Sequence, residues 1–261
     1  RKGRNAKSNR KNSNGSGNTE LTKGRTDEIP SWSPDATQIV FTHGSVAGKR
    51  SDIAVMNVAG GEQRKLPLGT TLNTAPSWSP DGTRLAFDSH QDGNWEIYVS
   101  SADGTGQRRL TNSPANDQLP VWSPDGKTLA FQSDRDGNSE VYIINLDGTN
   151  LRNLTNHPAH ESDASWSPDG KKLAFLSARD GNGDIYVMNA DGSEQVNVTN
   201  TPTEEGNPSW SPFLDTIGMY LNRGNIYRHR ADGYDAALDC YNQVVKLAPD
   251  IAKGNLARGI L

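Results

Sequence analysis

Five residues stand at a fixed distance before five tryptophans, and four of them are acids. Asp27, Asn73, Asp117, Glu161 and Glu205 precede Trp32, Trp78, Trp122, Trp166 and Trp210 by five positions each. Repeats wrapped around one axis would bring these side chains together at a single channel mouth. Four carboxylates and an amide there would focus a negative field on a cation or a basic peptide. Acidic side chains also bond their own backbone in turns, so each could instead only cap its loop. Other candidate chemistry is thinner. The Asp-Gly-Asn runs at Asp92, Asp136 and Asp180 lack the alternating acids of a calcium loop, and three copies at equivalent places point to hairpin geometry. His157 and His160 share a loop without a third zinc ligand; His43, His90 and His229 are scattered. The chain has no Gly-x-Ser-x-Gly nucleophile elbow, phosphate-cradling glycine loop or His-Glu-x-x-His. Cys240 reads as a small core residue. The expectation is a chain with no catalytic residue, no cofactor and no metal centre, a cation at the channel mouth excepted.

The elements that would hold the ring repeat as well. Pro76 to Phe87, Pro120 to Phe131 and Ala164 to Phe175 each carry Trp-Ser-Pro-Asp-Gly-x-x-Leu-Ala-Phe, and Pro30 to Phe41 is a diverged copy. The tryptophans are 46, 44, 44 and 44 residues apart. A period in the low forties, with short strands and glycine turns, predicts a β-propeller with one four-stranded sheet per repeat. In the third copy the spacing predicts strands over 120–124, 129–133, 140–145 and 150–155, joined by turns at Asp125-Gly126, Asp136-Gly137-Asn138 and Asp147-Gly148. The middle strands are apolar on both faces (Leu129-Ala130-Phe131; Val141-Tyr142-Ile143-Ile144), as sheets sandwiched between neighbours require. The first copy departs from the pattern. Ala36 replaces the turn glycine, Ala54 the strand tyrosine, and Gly44 to Ser51 lengthens a hairpin. A looser blade is expected there.

Bulk properties exclude little. The 261 residues carry a formal net charge of −4 and are 22% charged, so nucleic acid is not an expected partner. The first eleven residues hold six Lys/Arg and no acid, and residues 1–17 read as a disordered basic tail. No run of about 18 apolar residues predicts a transmembrane helix. A start at Arg1 without a leader reads as a processed chain or a fragment.

Trp-Ser-Pro-Asp-Gly-x-x-Leu-Ala-Phe, followed by Asp-Gly-Asn-x-Glu-Val/Ile-Tyr, Asp-Gly and Leu-Thr, resembles the WD-like repeat of TolB-type periplasmic proteins. It is also similar to the propellers of tricorn-like and prolyl-oligopeptidase-like proteases. The resemblance covers about residues 18–212 and implies blades over about 30–74, 75–118, 119–162 and 163–206. Partial strands at 18–23 and 207–212 would be the outer and inner strands of a closing blade whose two middle strands are missing, so either four blades and a partial sheet close on themselves or the ring is open. Residues 213–261 have the spacing of a tetratricopeptide repeat: Tyr220, Gly224 and Tyr227, then Ala237, Tyr241 and Pro249. The reading is a non-catalytic binding scaffold with a helical docking segment, a protein or peptide partner and, by resemblance, a periplasmic or extracytoplasmic location. Association through an open propeller edge is a further expectation. One rival is the substrate-gating propeller of a peptidase whose catalytic domain lies elsewhere. Another is a fusion with no selected function.

Overall fold

Each repeat forms a sheet of its own because its short strands are joined by tight turns. The computed structural model describes residues 9–10, 19–20, 27–44, 51–69 and 72–210. Four antiparallel four-stranded meanders follow one another. Blade 1 comprises Asp27–Trp32, Gln38–Gly44, Ser51–Asn57 and Arg64–Lys65. Blade 2 is built from Asn73–Trp78, Arg84–Ser89, Glu96–Ser101 and Arg108–Arg109. Blade 3 holds Asp117–Trp122, Thr128–Ser133, Glu140–Asn145 and Arg152–Asn153. Blade 4 runs through Glu161–Trp166, Lys172–Ser177, Asp184–Asn189 and Val196–Asn197. The first strand of blade 3 begins three residues earlier than its sequence predicts, and the fourth is shorter.

The turn between the first two strands recurs in every blade. Ser123 Oγ donates to Asp125 Oδ1 (2.7 Å) and accepts from Thr128 N (3.0 Å), while Asp125 Oδ1 also accepts from Lys127 N (3.1 Å). Gly126 sits at φ 67°, as do Gly82 and Gly170 within a few degrees. Ala36 holds the same conformation at φ 56°, which costs an L side chain about 1–2 kcal/mol.

In blades 2, 3 and 4 the second turn binds the blade to the loop that leads onward. Asn138 Nδ2 donates to His157 O (2.8 Å) and Ala159 O (2.7 Å), and Tyr142 donates its hydroxyl to Asp136. Buried Glu140 accepts from the Thr155 hydroxyl and from His157 N (2.8 Å). Asn94, Tyr98, Glu96 and Thr111 repeat this set in blade 2. Asn182, Tyr186 and Asp184 do so in blade 4. The Asp-Gly-Asn runs are thus held by hairpin architecture.

Between blades the packing is apolar. The tryptophan-bearing face of one sheet lies on the opposite face of the sheet before it. Trp122, Leu129, Phe131, Tyr142 and Ile144 meet Ala86, Ile97 and Val99. Phe41, Phe87, Phe131 and Phe175 are fully buried at the same place in all four sheets. Trp122 is 7% exposed and Trp32 is 47% exposed. At the other end of the series Val198 is 55% exposed, where its counterpart Leu154 is buried at 5%.

Two short segments lie at the margins of the described blades. Thr19–Glu20 pairs with Asn9–Arg10 in a two-stranded sheet of its own. Residues 207–210 carry no strand. The chain divides into compact units Arg1–Ser209 and Trp210–Leu261. The helical hairpin expected over 213–261 lies outside the described residues. Among the described residues no helix is long and apolar enough to cross a membrane.

Trp122→Ala is expected to cost about 3–5 kcal/mol of unfolding free energy, and Trp32→Ala about 1 kcal/mol or less. Ala36→Gly should add about 1 kcal/mol by relieving the left-handed backbone. Urea denaturation of the three variants beside the parent chain checks this order.

Candidate functional site

The first strand of every blade is interrupted at the same point. Pairing with the second strand shifts register between Glu28 and Ser31, Thr74 and Ser77, Gln118 and Val121, and Ser162 and Ser165. Proline supplies part of the reason: Pro30, Pro76 and Pro120 lie inside the gap and have no N–H for the ladder. The residue before them turns into the left-handed region. Ile29, Ala75, Leu119, Asp163 and Asn207 have φ of 51°, 48°, 55°, 51° and 51°. Only the last two belong to types that adopt it readily.

The residues at these five places surround a common cavity of about 260 Å³, lined by all four blades and by Asn207 and Pro208. Its walls are mostly apolar, with Ile29, Leu119 and Val121 beside the prolines. Asp163 is the one ionisable side chain in the lining. Burial pushes its carboxyl above the usual aspartate range, opposed only by the Ser162 hydroxyl, which is 3.5 Å away.

The acidic ring lies two residues upstream of this lining, and none of its members faces the cavity. Asp27, Asn73, Asp117 and Glu161 each open the first strand of a blade and are buried. His43 Nδ1 is 2.7 Å from Asp27 Oδ1. Asn73 Nδ2 donates to Leu68 O at 3.4 Å. Arg135 Nη2 contacts both oxygens of Asp117, at 2.9 and 2.8 Å. Glu161 Oε1 accepts from Ser177 Oγ (3.0 Å), and Arg179 Nη2 lies 3.0 Å from Oε2 as an ion pair without hydrogen-bond alignment. Half-buried Glu205 accepts from Thr201 Oγ1 (2.8 Å). Desolvation raises the pKa of both Asp117 and Glu161, with their arginines pulling the other way. Two of the four carboxylates therefore meet a guanidinium inside their own blade, which weakens any field they project.

Sequence reasoning passed over the lining positions, three before each tryptophan, because their types (Ile, Ala, Leu, Asp, Asn) share no chemistry. The proline that follows four of them was the available signal. It also passed over Asp88, which is buried behind the bulges. Thr74 Oγ1 donates to its Oδ2 (2.8 Å). Its Oδ1 has no aligned donor and is influenced by the Gln118 side chain and Leu119 N–H. Desolvation pushes its pKa up to about 6. In blade 1 the same place is taken by Thr42, whose Oγ1 accepts from Ala75 N of blade 2 (3.0 Å). Among the described residues, no group of three His, Cys, Asp or Glu is placed to hold a metal ion.

The family model for the TolB beta propeller domain matches residues 43–143 and 135–238. Among solved structures, TolB from Acinetobacter baumannii is similar over 76% of this chain and 50% of its own, with 27% identity and a TM-score of 0.66. A putative TolB from Agrobacterium tumefaciens aligns over 75% of each chain, with 23% identity and a TM-score of 0.67. A puromycin-hydrolyzing peptidase of Mycobacterium tuberculosis shares the fold over 71% of this chain and 32% of its own, with 16% identity and a TM-score of 0.56. The chain thus spans half the length of the Acinetobacter protein. No curated protein matches it.

A carboxyl whose folded-state pKa is raised stabilises the fold when protonated, and that contribution is lost as pH rises through the folded value. For Asp88 the window runs from about 4 to about 6. Asp88→Asn should therefore gain about 2–3 kcal/mol relative to the parent chain between pH 4 and pH 8. Thermal unfolding at the two pH values measures it.

Proposed function

We propose that this chain, which belongs to the TolB beta propeller domain family, is a non-catalytic binding scaffold whose axial cavity receives a cationic side chain of a polypeptide partner. The observation that carries the reading is the lining itself. A single half-buried carboxylate, Asp163, stands in an otherwise apolar, proline-walled cavity of about 260 Å³. That volume suits one long side chain, with its methylene stem against Ile29 and Leu119 and its charged head on Asp163. A bound cation would lower the raised pKa of Asp163 and recover the cost of its burial. The ring of Asp27, Asn73, Asp117, Glu161 and Glu205 contributes in this reading through its field at the mouth and by anchoring the bulges.

A protein partner and an extracytoplasmic location accord with the family. The docking role of residues 213–261 remains part of the proposal. So does association through the open edge, where Val196 and Val198 of blade 4 are exposed. The peptidase-accessory reading shares only the fold with its structural neighbour, and an assay for peptide hydrolysis separates it from the scaffold.

A lysine-containing basic peptide is expected to bind the parent chain and to lose roughly ten-fold in affinity with Asp163→Asn, the scale of a hydrogen bond to a charged group. A smaller loss is expected for Asp117→Asn combined with Glu161→Gln. Titration calorimetry with the three folded proteins decides the matter, and equal affinities would end the reading.

A further inference from the structure

The near-identical blades supply an internal control for a second kind of site, away from the axis. Between blades 2 and 3, Arg84 of the second strand reaches across to the next sheet. Its guanidinium carbon lies 4.9 Å from the centre of the Trp122 ring. Nη2 donates to Gly126 O at 3.4 Å and stands 3.7 Å from Asp81 Oδ2. Indole face, turn carbonyl and turn carboxylate thus hold one planar cation.

Between blades 1 and 2 the same three partners are present without the cation. Gln38 occupies the place of Arg84, and its shorter, neutral side chain leaves a groove of about 480 Å³. The groove is lined by Trp78, Gly82 and Asp35, the counterparts of Trp122, Gly126 and Asp81. Asp35 Oδ1 is occupied by Ser33 and Thr37. Its Oδ2 takes part in no hydrogen bond among the described residues, and its pKa is lowered by those bonds, so the carboxylate is ionised. Asp81 and Asp103 add two further acids against one base, Arg64, whose charge acts on Asp103. Between blades 3 and 4, Thr128 leaves a comparable groove of about 500 Å³ at Trp166, with Asp125 and Asp169 facing Arg152.

We propose that the groove between blades 1 and 2 binds the guanidinium of an arginine side chain presented by a partner polypeptide, in the position that Arg84 fills one blade further on. Arginine is favoured over lysine because a planar guanidinium stacks on an indole while donating in its own plane to a carboxylate and a carbonyl. The three acids around the groove disfavour an anionic or neutral occupant. The site is independent of the axial cavity, which no residue of this groove lines.

The test uses the full chain and Nα-acetyl-arginine amide as the probe, followed through the tryptophan indole N–H signals by NMR. The Trp78 signal is assigned by its loss in Trp78→Phe. A saturable shift of that signal is expected, with the lysine analogue at least three-fold weaker and the Trp122 signal unmoved. Gln38→Arg should fill the groove from within and abolish the shift; Gln38→Glu should strengthen binding several-fold. Position 38 is a half-exposed strand site whose blade 2 counterpart is already arginine, so both variants should fold. A shift that does not saturate, that is equal at Trp78 and Trp122, or that persists in folded Gln38→Arg would overturn the proposal. So would weaker binding by Gln38→Glu.

Discussion

Each sheet of this chain has two apolar faces, and among the described residues there is no helix to cover either. A sheet can then be stable only against another sheet. The repeat meets this constraint by carrying complementary faces. One bears tryptophan, leucine, phenylalanine and tyrosine; the other bears alanine with β-branched residues. Stacking the copies in order buries Phe41, Phe87, Phe131 and Phe175 alike. The same requirement accounts for the exposed residues at the ends of the series. Trp32 on the first sheet and Val198 on the last belong to faces whose counterparts elsewhere are covered by a neighbouring blade.

The inner ends of the sheets obey a different rule. Four first strands are bulged before their tryptophan, and five residues there take left-handed backbone at a cost of order 1 kcal/mol each. Contacts from the neighbouring blade help to hold them, as Thr42 does for Ala75. The bulge ends the ladder and turns residues 29, 75, 119, 163 and 207 toward the axis. These positions do not determine how the sheets pair, so their side chains are free to vary. Asp27, Asp117 and Glu161, two residues earlier, are buried and bonded within their blades.

This division explains what could be read beforehand. The tryptophan period, the Asp-Gly turns and the apolar middle strands are local signals, and the sheets follow them closely. The irregular turn at Ala36 was legible too, because an L residue in a glycine position needs the same backbone. The burial of Asp117 was not. Its partner Arg135 comes 18 residues later, and only the pairing of Asp117 with Ser133 brings that arginine alongside. The same holds for Glu161 and Arg179, through Ser177. Spacing along the chain marked the ring, while hairpin register decided what each member touches.

Near-identical copies also make their differences interpretable. The backbone of the second strand is constant from blade to blade, so a change at one of its positions reports on that position alone. Successive blades place Thr42, Asp88, Gln132 and Leu176 behind the next bulge. The first can accept a hydrogen bond at little cost, whereas the second does so as a buried acid. Leucine cannot accept one at all, and it occurs in the blade whose trailing face is exposed. Position 38 and its counterparts vary in the same way, from glutamine to arginine, threonine and lysine. The arginine places its guanidinium over the following tryptophan ring. Each of the four opens the second strand of its blade, so the strand backbone accepts all of them.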